Sequence, residues 1–327
     1  MEYRQLGSTG LSVSEIGFGT WQIGSDWGDV SKAEGLTAVE TALDADISFL
    51  DTADVYGDSR SEQIIHEVIE AKQHTPVIAT KAGRRLEPHV ADGYTEENLR
   101  RFVNRSRENL GVETVDLLQL HCPPNEVYYR PSVFEALETL VEEDRISHYG
   151  VSVEKVEQAL KAIEYPGVET IQIIFNPLRQ RPAELFFEMA KQRDIGVIVR
   201  VPLASGLLAG VLDSETEFPT NDHRNFNRDG SAFDRGETFA GLSYSRALKA
   251  VDELAVRAPA EMSMAQFALR WILDHEAIST VIPGSTTPSH IRDNAKTSEL
   301  SSLSHEDHGR IRDIYESHVY DDVHHQW

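Results

Sequence analysis

One cysteine, eight lysines and no apolar run long enough to cross a bilayer are the scarcities that frame this 327-residue chain. The single thiol, Cys122, rules out an internal disulfide and points to a reducing compartment. The longest apolar stretch, residues 196–212, is interrupted by Arg200 and Pro202 and is too short to span a membrane. The opening Met1-Glu2-Tyr3-Arg4-Gln5-Leu6-Gly7 holds no apolar signal core, so the chain reads as soluble and cytoplasmic. Basic residues are scarce too: 31 against 54 acidic ones give a formal net charge of −23. Nucleic acids and anionic membranes select positive patches, so neither is an expected partner. A lysine-poor, acidic surface suits concentrated salt, where self-repulsion is screened. Thermal unfolding midpoints are therefore expected to rise with added salt, and a flat response would contradict a halophilic origin.

No Pro/Gly/Ser-rich linker, internal repeat or low-complexity tract divides the sequence, and 40% of it is hydrophobic, ample for one large core. What is present is alternation. Apolar, β-branched runs near residues 15–19, 48–50, 77–80, 115–120, 146–151, 170–174, 197–201 and 280–282 are separated by segments of helical period. Those segments lie near 32–44, 59–71, 96–110, 131–143, 153–163, 183–193, 264–274 and 288–300. Thr95 before Glu96 and Glu97 reads as a helix start, Ser59 followed by Glu62 has capping-box spacing, and Gly111 reads as a stop. Eight strands alternating with helices predict an α/β fold, a closed (β/α)8 TIM barrel occupying residues 1–327 as one domain. An open doubly wound sheet would carry a Gly-rich fingerprint at its first turn, and Gly17-Phe18-Gly19-Thr20-Trp21-Gln22 has Gln where the third Gly belongs. Residues 3–16 read as an N-terminal hairpin capping the barrel bottom, and 301–327 as a C-terminal helix and tail. Residues 212–243, after the seventh strand, read as a mobile lid over the top.

Four residues sit where predicted strands end: Asp51, Tyr56 in the loop that follows, Lys81 and His121. Strand C-terminal ends are where barrel enzymes keep their chemistry. A free phenol, with a pKa of about 10, is a sluggish donor at neutral pH. A nearby ammonium from Lys81 lowers that value, Asp51 fixes the ammonium, and His121 bonds a substrate oxygen. Singly, each has a plain structural reading: helix cap, packing, surface charge, turn. Lys81 also has a Schiff-base reading. Together they form a proton-transfer set.

The stretch Phe49-Leu50-Asp51-Thr52-Ala53-Asp54-Val55-Tyr56-Gly57, with Ile78-Ala79-Thr80-Lys81, Asp116-Leu117-Leu118-Gln119-Leu120-His121 and the opening Tyr3-Arg4-Gln5-Leu6-Gly7, resembles the aldo-keto reductase family over nearly the whole chain. The resemblance implies NAD(P)H-dependent interconversion of a small carbonyl and an alcohol. Tyr56 would be the acid, Lys81 and Asp51 would tune it, and His121 would orient the carbonyl. It implies an extended cofactor across the barrel mouth, reached by Gly19, Thr20, Trp21 and Asp51. The nicotinamide amide would meet Ser152 and Gln172; Val153 stands where the family has Asn, and Asn176 is a replacement for that contact. Arg200 takes the place of a stacking aromatic. Pro202, Leu203, Ser205, Gly206 and Leu208 resemble the ribose and pyrophosphate loop. Gly284, Ser285, Thr286, His290, Asp293 and Asn294 resemble the adenosine end, where the usual Lys or Arg for a 2′-phosphate is missing. NADP(H) is placed ahead of NAD(H) on family grounds alone. Trp21 and Trp27 would wall the substrate pocket. No metal is expected: His324 and His325 are adjacent and lack a third ligand. The rival expectation is a nicotinamide-binding regulatory subunit with little catalysis. Neither oligomeric state nor substrate identity is legible.

Overall fold

The computed structural model describes residues 1–24 and 27–327. The chain opens with a hairpin, β1 (Tyr3–Gln5) paired antiparallel with β2 (Ser12–Ser14). Eight parallel strands follow in sequential order: β3 (Phe18–Gly19), β4 (Phe49–Asp51), β5 (Val77–Ala82), β6 (Val115–His121), β7 (Ile146–Ser152), β8 (Val168–Ile174), β9 (Gly196–Arg200) and β10 (Ile278–Val281). The barrel closes where Ile16 bridges Val281 in parallel and Gly17 N–H donates to the Val281 carbonyl at 2.8 Å. The helices between the strands bury their apolar faces on the outside of the sheet, as the helical period predicted.

Inside the barrel the two-residue period separates two layers. At the bottom Phe49, Ala79, Leu117 and Ile198 pack with Leu6 and Val13 of the hairpin. Two residues further along the same strands the inward positions are Asp51, Lys81, Gln119 and Arg200, so the top of the interior is polar. The hairpin closes the bottom through close backbone contact. Gly7, at φ +55°, lies so near Asp194 and Gly196 that a Cβ would stand 2.1 Å from the Gly196 nitrogen, and only glycine fits there. Ser8 N–H donates to the Asp194 carbonyl at 2.8 Å.

One expectation is corrected, and two features go beyond the sequence reading. Ser59 does not cap its helix: at φ 76° its side chain caps nothing, and Glu62 instead accepts from Thr80 Oγ1 at 2.6 Å and Asn109 Nδ2 at 2.8 Å. The tertiary partners win over the local capping pattern. A helix at Tyr244–Ala255 was not anticipated, although its apolar stripe, Ala247, Ala250, Val251 and Leu254, is buried. Residues 212–243, the segment read as a lid, are partly structured. They carry a short helix, His223–Phe226, bury Asp222, His223, Asn227, Glu237 and Thr238, and lie across the barrel mouth. The tail is docked on this segment: Trp327 is buried, donates its indole N–H to Asp234 Oδ2 at 3.0 Å and lies under the Arg179 guanidinium at 4.1 Å.

Candidate active site

The four strand-end residues converge. The Lys81 ammonium donates to Asp51 Oδ1 at 2.5 Å, to the Thr52 carbonyl at 2.9 Å and to the Tyr56 hydroxyl at 3.4 Å. Lys81 and Asp51 are almost wholly buried, at 1% and 3% exposure, which makes their pairing obligatory. The other Asp51 oxygen is held by Gln172 Nε2 at 2.7 Å and Gln119 Nε2 at 3.2 Å. Ser152 Oγ in turn reaches Gln172 Oε1 at 3.4 Å. The Tyr56 and His121 rings stand 6.0 Å apart and nearly perpendicular.

Electrostatics departs from the sequence expectation at one point. The Tyr56 phenol is raised above its ordinary value, because burial penalises phenolate more than the Lys81 charge favours it. Tyr56 therefore carries its proton throughout the neutral range, the state a proton donor needs. Lys81 is also raised: burial opposes the charge, but Asp51 and Tyr56 outweigh it, so it stays an ammonium. Burial, with the charges of Arg84, Lys81 and Arg200, holds His121 well below its usual range. It is a neutral imidazole, and its Nδ1 has no hydrogen-bond partner among the described residues.

The aromatic wall forms over this set. Trp21 stacks on Tyr56 at 6.3 Å and meets Trp27 edge-on at 5.6 Å. His223 of the lid lies 4.8 Å from Trp21 and 4.5 Å from Trp27.

A model of the aldo/keto reductase family matches residues 15–316. The chain belongs to the aldo/keto reductase family. It is similar to the uncharacterized oxidoreductase YqkF of Bacillus subtilis, 28% identical over 331 aligned residues that cover 97% of this chain and 99% of the relative. Among solved structures it resembles the glycerol dehydrogenase AKR11B4 from Gluconobacter oxydans, with a TM-score of 0.78, 26% identity and coverage of 97% and 96% of the two chains. An aldo/keto reductase from Klebsiella pneumoniae in complex with NADP and acetate shares the fold, with a TM-score of 0.71, 18% identity and 96% coverage of each chain.

Within this aldo/keto reductase barrel the remaining sequence-predicted residues fall in two groups. Ser205 and Gly206 adopt left-handed backbone, at φ 58° and 94°, and the Ser205 hydroxyl donates to the Glu237 carbonyl at 2.8 Å. Pro202, Leu203 and Leu208 lie in the same turn, so this loop is covered by the lid. At the far edge Ser285 and Thr286 are half-buried just before the helix Pro288–Ala295, His290 and Asp293 are exposed on it, and Asn294 is buried under it. Gly284 sits where a Cβ would approach the Gly19 carbonyl at 2.7 Å, and Thr20 donates to the Asp51 carbonyl at 2.8 Å. Asn176 donates to the Val201 carbonyl at 3.0 Å while its own oxygen accepts from Leu178 N–H at 2.9 Å. Arg200 is buried and reaches the Val153 carbonyl at 3.0 Å, Cys122 Sγ at 3.6 Å and lid Glu237 at 3.4 Å.

Sequence reasoning missed Gln119, Arg84, Glu154 and Glu237. Gln119 was within reach, since it lies two positions before His121 and so shares its inward face. Glu237 was not, because its partners are remote in the chain.

Asp54, in the loop that carries Tyr56, is wholly buried, and its carboxyl is pushed up to about 7. Burial is the main cause and the Glu62 charge adds to it, against the pull of Arg85, 3.1 Å away, and Arg105. The folded state then holds a proton that the unfolded chain releases near pH 4. The stability this group contributes is full at low pH and is lost as pH rises through about 7. Asp54→Asn is expected to flatten the fall in urea midpoint between about pH 5 and about pH 8. Identical slopes in the two proteins would refute this.

Proposed function

We propose that the protein is an NAD(P)H-dependent oxidoreductase that interconverts a small carbonyl (aldehyde, ketone or sugar) and its alcohol. The carrying observation is the buried chain Asp51–Lys81–Tyr56, with Lys81 at 2.5 Å from one and 3.4 Å from the other. The residues present fit the cofactor. Hydroxyls of Ser285 and Thr286 stand at the start of a helix, where N–H groups and the dipole favour phosphate. The wall of Trp21 and the polar inward layer supply a site for a flat polar ring. When bound, the nicotinamide supplies or accepts the hydride.

The chain's own residues do the rest. Tyr56, kept protonated, donates its proton to the carbonyl oxygen as negative charge develops there. Lys81 stabilises the phenolate that remains, and Asp51 holds Lys81 in place. Gln119 and Gln172 keep Asp51 from turning away. Neutral His121 lies on the other side of the carbonyl oxygen and orients it. In the oxidative direction the same groups act in reverse. Trp21, Trp27 and His223 exclude water from the reacting centre.

Cofactor oxidation over a panel of sugars and simple aldehydes, at low and high salt, tests the reading, with NADPH expected to be turned over more efficiently than NADH. Turnover of no carbonyl with either cofactor would favour a regulatory nicotinamide-binding role instead.

A further inference from the structure

Beside His121 a second charged cluster lies outside the Asp51–Lys81–Tyr56 chain. Arg84 follows β5, Arg200 ends β9, and both face Glu237 of the lid. Arg84 Nη2 and Arg200 Nη1 each stand 3.4 Å from the same oxygen, Glu237 Oε1, and Arg84 Nη2 is also 3.4 Å from Glu154 Oε1. Charge-assisted bonds between guanidinium and carboxylate are normally about 2.7–2.9 Å and often bidentate. Here one carboxylate is stretched between two forks and satisfies neither. The Nε atoms of both arginines are buried without a hydrogen-bond partner among the described residues, and Arg200 is only 7% exposed. Arg84, with 22% of its side chain exposed, leaves the cluster accessible from outside.

Glu237 reaches this place only because residues 212–243 lie across the barrel mouth. Its neighbours Ser205 and Phe239 tie it to the turn that sequence reasoning assigns to the cofactor. If that segment moves to admit ligand, the buried Arg200 guanidinium and the half-buried Arg84 guanidinium lose one of their two counter-charges. An uncompensated buried cation is costly, so an entering anion gains what Glu237 gives up. Cys122, Glu154 and Glu237 bring possible ligand atoms within 4.8 Å of one another, but the positive charge there is already supplied by the two arginines.

We propose that Arg84 and Arg200 form an anion subsite beside the reacting carbonyl, occupied by Glu237 when the lid is closed and by an anionic oxygen group of the ligand when substrate is bound. The group is a carboxylate on the non-reacting end of the substrate or a phosphate of the cofactor. This rests on the carbonyl-reductase reading, and the test separates the two. Wild type, Arg84→Met and Arg84→Lys are compared on 4-carboxybenzaldehyde and 4-methylbenzaldehyde at saturating cofactor. NADPH and benzoate affinities are measured by quenching of tryptophan fluorescence. A substrate carboxylate predicts that Arg84→Met lowers the carboxy-to-methyl ratio of kcat/KM at least tenfold, that Arg84→Lys recovers part of it, and that NADPH affinity is unchanged. A cofactor phosphate predicts the opposite: a constant ratio and at least tenfold weaker NADPH. In either case Glu237→Gln binds benzoate at least threefold more tightly than wild type, since the resident competitor has lost its charge. That binding measurement stands even if neither aldehyde is reduced. A ratio, an NADPH affinity and a benzoate affinity that all stay within twofold of wild type, in variants with wild-type circular dichroism, would overturn the subsite.

Discussion

Tyr56→Phe is expected to lower kcat/KM for carbonyl reduction by ~10²–10⁴-fold, the usual worth of a positioned general acid. The substitution removes one hydroxyl and keeps the ring, so the stack on Trp21 at 6.3 Å survives and the fold is not disturbed. Cofactor affinity, read from tryptophan fluorescence, is expected to stay close to wild type. A variant that keeps wild-type turnover would remove Tyr56 from the chemistry and leave the regulatory nicotinamide-binding reading ahead. The raised phenol adds a signature in pH. Because burial outweighs the pull of Lys81, the protonated donor persists through the neutral range. The reductive rate is thus expected to fall only on the alkaline side of the ordinary phenol value, about 10.

Lys81→Met carries the second large effect, and it separates stability from catalysis. Removing the ammonium leaves Asp51 buried without its cation, a loss that typically costs about 3–5 kcal/mol. The donors Gln119 and Gln172 soften this without replacing the charge. Urea unfolding of Lys81→Met, Asp51→Asn and the double variant forms a cycle. The double variant is expected to recover most of the stability, since no unpaired charge remains, yet to stay catalytically impaired because nothing stabilises the phenolate. If the double variant were active, the ammonium would have no part in proton transfer.

Much of the architecture was legible beforehand. Each of the eight barrel strands lies where an apolar, β-branched run occurs, because burial on both faces demands such runs. The helices between them follow the apolar stripe. Asp51, Lys81 and His121 were legible because inward positions at strand C-terminal ends are polar only when the interior there is not simply packed. Ser59 misled for the same reason that capping rules are local: Glu62 found Thr80 and Asn109 instead of the helix start.

The strand positions and the inward register of Asp51, Lys81 and His121 were thus inherent in the order of residues, since each depends on periodicity within a single segment. What only the tertiary structure decided is the environment those side chains share. Burial reverses the direction of the Tyr56 shift, Gln119 and Gln172 grip Asp51, and Glu237 meets Arg84 from 153 positions away. Desolvation and charge pairing depend on distance through space. Separation along the chain says nothing about them until the barrel has closed.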